Sequence, residues 1–293
     1  MRIAENVKKC VVFIGIKKPD ESIDKIKYCG TGFFVSVPSK IPNRGFPYLV
    51  TAKHVARAVE GNDFYIRANA KDGTSTIFKA GNEVNWCFHP DLTYPADVAV
   101  YHFPLTTDLY KTLDCEMIEV GMLLTEKRRQ EEGVGEGDET FSVGLFSKHT
   151  GNEKNLPIIR MGNIAMISDE PIQSDQFGNM DAYLVEMRSI GGHSGSPVFV
   201  LKPIPITIDD WLVPTSRWRV FLLGLIHGHW DVKLGKSDDS AQIDELKSRV
   251  DAGIAMVVPA CKILETINCQ ELENLRNSIE ANAIAKNNSK TIP

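Results

Sequence analysis

The chain has 293 residues, 43% of them hydrophobic and 24% charged, with a formal net charge of −5. That is enough apolar material for one large domain or two small ones. The mild acidity leaves no basic footprint for nucleic acid or an anionic membrane surface, and neither is expected as a partner.

The first 18 residues hold an acidic residue and no small-residue cleavage site after a long apolar stretch, so no leader is read there and a cytoplasmic location is expected. The longest apolar run, 220–226, is of strand length and far short of a membrane span. Six cysteines, at 10, 29, 87, 115, 261 and 269, form no CxxC pair and read as free thiols of a reducing compartment, with a Cys10–Cys29 bridge left open. No cofactor is implied.

In chain order, the pattern is of short Val-, Ile-, Phe- and Tyr-rich runs between turn residues: CVVFIGI (10–16), GTGFFVSV (30–37), YLVTA (48–52), DFYIRA (63–68) and DVAVYHF (97–103). After a hydrophilic stretch at 125–140 come TFSVGLF (140–146), GNIAMIS (162–168), AYLVEM (182–187), SPVFV (196–200), VFLLGLI (220–226) and GIAMVV (253–258). Many short strands without intervening long helices predict an all-β fold. The expected organisation is an N-terminal β-barrel at 1–124, a linker at 125–137, a C-terminal β-barrel at 138–262, and a helix with a tail at 263–293. Two irregular inserts interrupt the second half: a Pro-rich one at 201–219 and a polar one at 230–249 that is expected to carry a short helix. They contain Trp211 and Trp218 and offer a surface for a regulatory protein partner.

Three segments carry chemistry. In GGHSGSP (191–197), glycines flank Ser194 and allow a tight turn whose N–H groups point to one spot; those of Gly192 and Ser194 are expected to form an oxyanion hole. In YLVTAKHVA (48–56) a strand end presents His54, a base able to take a hydroxyl proton. In PADVAVYHF (95–103) Asp97 precedes a strand and is placed to orient that imidazole, with Asp91 as the weaker rival. The order His, Asp, Ser differs from that of subtilisin and of the α/β-hydrolases, and the hydrolase elbow G-x-S-x-G is absent because Ser196 follows where its second glycine belongs.

With these segments in view, the sequence resembles the trypsin-like serine peptidases of the chymotrypsin fold, nearest to the bacterial high-temperature-requirement proteases and glutamyl endopeptidases. GTGFFV (30–35), TAKHVA (51–56), ADVAV (96–100), RMGNIAMI (160–167), GHSGSPVF (192–199), FLLGLIHG (221–228) and GIAMVVPACKIL (253–264) carry the likeness, which spans about residues 8–268. It implies two six-stranded antiparallel barrels with a C-terminal helix, a catalytic triad of His54, Asp97 and Ser194, and endopeptidase action on a polypeptide through an acyl-enzyme. A silent or effector-latent binding module on the same fold is the alternative.

Departures from the family pattern carry information. His193 stands where digestive members have an Asp that pairs with a freed N-terminus, so that activation route is not expected. Arg188 or Ser189 falls near the base of the specificity pocket, which disfavours a taste for Lys or Arg. His227 and His229 lie on the strand that usually lines the substrate groove, and these four residues are the expected substrate contacts. The spacing of His193, His227 and His229 matches no familiar zinc site, and no metal is expected.

Overall fold

β-Branched and aromatic runs form strands here because their side chains pack well on a pleated surface, and several are buried along nearly their whole length. The computed structural model describes residues 3–18, 20–80, 84–91, 93, 96–174, 178–188, 191–204, 206–208, 211–213, 218–233 and 249–289. In the N-terminal half the strands are β1 (Val11–Ile16), β2 (Lys27–Pro38), β3 (Gly45–Thr51), β4 (Phe64–Asn69), β5 (Ser75–Ala80), β6 (Cys87–Phe88), β7 (Ala99–His102) and β8 (Ile118–Glu119). In the C-terminal half they are β9 (Glu139–Gly144), β10 (Ile158–Ile167), β11 (Ile172–Ser174), β12 (Gly178–Met180), β13 (Tyr183–Glu186), β14 (Pro197–Pro203), β15 (Ile206–Ile208), β16 (Trp211–Val213), β17 (Trp218–Lys233) and β18 (Arg249–Pro259). The helices are α1 (Lys53–Val59), α2 (Thr107–Thr112), α3 (Glu126–Glu131), α4 (Ala260–Ile267) and α5 (Gln270–Ser289).

The expected all-β class with a terminal helix is what the structure has. The C-terminal unit is a closed six-stranded antiparallel barrel, β10-β13-β18-β17-β14-β9. The N-terminal unit differs in detail from the expected six strands: it is an eight-stranded sheet in the order β5-β4-β1-β2-β3-β7-β6, with β8 paired in parallel to β2. The runs read from the sequence cover β1, β2, β3, β4 and β7; β5 and the two-residue strands β6 and β8 are the additions.

One hydrophobic core runs through both halves. Val12, Val50, Val55 and Val59 of the sheet unit share a cluster with Phe141, Phe199, Leu222 and Val258 of the barrel. A smaller cluster fills the barrel interior with Ile164, Val185, Val198, Leu223 and Val257. The stretch expected as a linker forms α3, whose cap Thr125 accepts the Arg128 N–H and whose Arg129 holds the Val134 carbonyl. In the Pro-rich insert β15 and β16 make a hairpin; of the polar insert expected to carry a helix, 230–233 and 249 belong to β17 and β18, and 234–248 lie outside the described residues. Helix α4 packs on β6, β7, β17 and β18, bridging the units. The C-terminal α5 is latched to the sheet unit: Arg276 donates to the Tyr48 hydroxyl at 2.8 Å, and Glu280 accepts Ser39 Oγ at 2.7 Å and the Lys40 N–H at 2.8 Å. All six cysteines are free thiols. Among the described residues no helix is long and apolar enough to cross a membrane.

Candidate active site

Strands β3 and β7 are antiparallel neighbours in which Thr51, the last residue of one, faces Ala99, the first of the other. The residues just past β3 and just before β7 therefore meet at one edge of the sheet. Past β3 the chain turns at Ala52 into α1, whose second residue is His54. Before β7 stands Asp97. Its Oδ1 accepts the His54 backbone N–H at 2.9 Å, and its Oδ2 lies 2.7 Å from His54 Nδ1. N–H groups in a first helical turn have no partner within the helix, so one carboxylate satisfies the backbone and fixes the ring together. Asp97 is 0% exposed and His54 30%, which leaves the imidazole reachable from one side only. The rival acid, Asp91, accepts the Thr93 N–H at 2.8 Å within its own turn.

A second imidazole reaches the same oxygen. His227 Nδ1 lies 2.6 Å from Asp97 Oδ2, with the ring 3% exposed and nearly perpendicular to His54, at 88° and 5.7 Å between centroids. This residue was expected in the substrate groove; its ring instead faces the acid. The cause is local. From Ile226 to Gly228, β17 advances two residues while its partner β18 advances one, from Val257 to Met256. His227 is thus the extra residue of a β-bulge, a device that re-aims a side chain. Burial disfavours the charged Asp97 carboxylate, but hydrogen bonds from His227 and His54 outweigh it and hold the carboxyl below its ordinary value.

Ser194 comes from the other unit, on the turn leading into β14. Gly192 and Gly195 both have positive φ, at 95° and 81°. A Cβ on Gly195 would strike the Thr31 carbonyl and Thr51 Oγ1 and come within 3.0 Å of Ala52 N, so the turn lies against the strand end that leads to His54. The seam is stitched by hydrogen bonds. Thr31 N donates to Ser194 O at 3.0 Å, Thr31 Oγ1 donates to Gly192 O at 3.0 Å, and Leu145 N donates to Thr31 Oγ1 at 2.9 Å. The N–H groups of Gly195 and Ser196 are committed to Ile226 O and His193 O. Among the described residues, those of Gly192 and Ser194 have no protein acceptor. Ser194 Oγ donates to His227 O at 3.3 Å, so its hydroxyl is turned to the bulge rather than bonded to His54.

His193 is 1% exposed on the far side of the turn. Its Nε2 meets Ser142 Oγ at 3.0 Å and its Nδ1 meets Leu145 O at 3.4 Å. A hydroxyl and a carbonyl satisfy a neutral imidazole. Burial pushes its pKa down to about 4; the Leu145 carbonyl opposes this and the Arg160 cation adds to it.

The remaining expected contacts are spread out. Arg188 and His229 are exposed, and Ser189 lies outside the described residues. The three histidines considered for a metal diverge: His193 faces Ser142, His227 faces Asp97 and His229 faces outward. His54, Asp97 and His227 do offer ligand atoms within 4.8 Å of one another. Hydrogen bonds from both Nδ1 atoms to one carboxylate oxygen account for that closeness. The sequence signals missed were Thr31, Ser142 and Leu145, which brace the turn, and the bulge at His227. None has a local motif, because each acts through a contact distant in sequence.

No protein-family profile matches the chain, and no curated protein sequence does. Solved structures similar to it include the following three. The MamO protease domain of Magnetospirillum magneticum, in its apo form, is 13% identical, with 89% of this chain and 96% of that one covered at a TM-score of 0.49. Deg5 is 12% identical over 76% and 81% of the two chains, at 0.43. An inactive serine-to-alanine form of Rv3671c from M. tuberculosis H37Rv is 17% identical over 89% and 86%, at 0.42.

Proposed function

We propose that the chain is a serine endopeptidase acting through Ser194, His54 and Asp97. The observation that carries this reading is the seam itself. A buried, ionised carboxylate holds His54 by ring and backbone, and a glycine-flanked serine from the other unit is packed against the same strand end. Turnover requires the Ser194 hydroxyl to swing from His227 O to His54 Nε2. His54 then takes its proton as Ser194 Oγ attacks a peptide carbonyl, and Asp97 stabilises the imidazolium. The N–H groups of Gly192 and Ser194, without acceptors among the described residues, suit the developing oxyanion. His54 next protonates the leaving amine, and water reverses the sequence to release the acid. Polypeptide is the proposed substrate.

One observation favours the second reading, a latent form. The Ser194 hydroxyl is bound to His227 O in this structure, so a protein partner that turns it would switch the site on. The experiment is to incubate wild type, Ser194→Ala and Asp97→Asn with a denatured-protein mixture and identify new N-termini by mass spectrometry. The endopeptidase reading expects new termini with wild type alone. Equal cleavage by Ser194→Ala would overturn it.

A further inference from the structure

Asp97 is held by two histidines, and only His54 belongs to the proposed triad. We infer that His227 is a positioning residue whose ring braces the acid of the triad. The inference rests on the endopeptidase reading of His54, Asp97 and Ser194.

The geometry argues for a dedicated role. His227 touches both ends of the site: its Nδ1 is 2.6 Å from Asp97 Oδ2, and its carbonyl accepts the Ser194 hydroxyl at 3.3 Å. It can do both because it is the extra residue of the bulge, with its side chain and carbonyl freed from the regular β17–β18 register. The neighbouring ladder keeps the bulge in place, since Gly195 N donates to Ile226 O at 2.8 Å and Ile226 N donates to Ser196 O at 2.9 Å. The nucleophile turn and the bulge are therefore one hydrogen-bonded unit.

The chemistry follows. Oδ2 of an ionised carboxylate accepts from both Nδ1 atoms, so each ring carries its proton on Nδ1. For His54 this is the tautomer that leaves Nε2 able to accept the serine proton. A second donor on Oδ2 pins the carboxylate rotamer. Oδ1 then stays on the His54 backbone N–H, and the His54 ring stays aimed across the seam. Without His227 the buried carboxylate loses one of its hydrogen bonds and can rotate away from His54.

The test has two arms on the full chain. In the first, histidine-labelled wild type is examined by NMR for low-field imidazole Nδ1–H protons. Two are expected; His227→Phe loses one and weakens that of His54, and Asp97→Ala loses both. A single such proton in wild type, or His227 carrying its proton on Nε2, overturns the inference. In the second arm, inactivation by a fluorophosphonate at Ser194 is separated into binding and chemical steps. His227→Phe should slow the chemical step about 10- to 100-fold with binding unchanged. His227→Gln, which restores a donor, should recover most of the loss. Phe labelled at the wild-type rate overturns the inference, and a thermal melt of each variant guards against misfolding. Two low-field protons in a wild type that takes no label would sink the endopeptidase reading and leave the double hold on Asp97 standing. Full labelling with a single low-field proton would do the reverse.

Discussion

Two buried histidines flank Ser194, and they meet different partners. His227 reaches an ionised carboxylate and helps to hold it charged, while His193 meets only a hydroxyl and a carbonyl. Burial at His193 keeps that ring neutral down to a pKa of about 4. The same side chain thus serves as a hydrogen-bond donor to an acid on one wall and as an uncharged strut on the other. What differs is the partner each backbone position supplies: a bulge turns His227 toward the sheet unit, and the turn before the nucleophile points His193 into the barrel. The teaching is that histidines near a reactive serine are assigned by their acceptors and not by their nearness to it.

The sharpest way to break the carboxylate wall is Asp97→Asn. An amide at this site favours the wrong His54 tautomer, and acylation of Ser194 should fall about 10⁴-fold with the fold retained, read by labelling rate beside circular dichroism. Gly195→Ala attacks the seam where the two walls join. It places a side chain at φ 81° and into Thr31 and Thr51. A loss of about 2–5 kcal/mol in denaturant unfolding is expected.

Acid should test the strut. The unfolded chain takes up a proton on His193 near its ordinary value of 6.5, while the folded protein resists until about 4. Stability is therefore full above that window and drops by up to about 3 kcal/mol as pH falls through it. Asp97 acts in a lower window, because its folded value lies below the ordinary carboxylate value: its contribution is present above that value and is lost as pH falls through the folded one. In His193→Gln the slope between 6.5 and 4 should shrink, as measured by unfolding at pH 7 and 4.5. The smallest expected effect is that of Thr31→Val. Leaving Gly192 O and Leu145 N without that hydroxyl should cost about 1–3 kcal/mol and slow labelling modestly.

Much of the architecture was legible because Val, Ile and Phe runs of strand length alternate with turn residues, and the segments bearing His54, Asp97 and Ser194 do come together at one seam. Three things were not legible. Strand β5, STIFKA, is half polar and only partly buried, and β6 and β8 are too short for any period to show, so the sheet unit gained strands the pattern did not announce. The H-x-H spacing reads as two rings on one face, yet His227 is buried and His229 exposed. A bulge breaks the two-residue period, and nothing within 226–228 marks it except Gly228. The hydroxyl of Ser194 was expected on His54 and is found on the His227 carbonyl; a rotamer set by a distant backbone atom leaves no trace in sequence.

Whether Ser194 is an activated nucleophile can be read with a fluorophosphonate probe, which needs no known substrate. Wild type and Ser194→Ala would be treated with the probe, digested and mapped by mass spectrometry. One adduct is expected, on Ser194, absent from the variant and slowed in Asp97→Asn. A folded wild type that takes no label at Ser194, or takes it equally in Asp97→Asn, would contradict it.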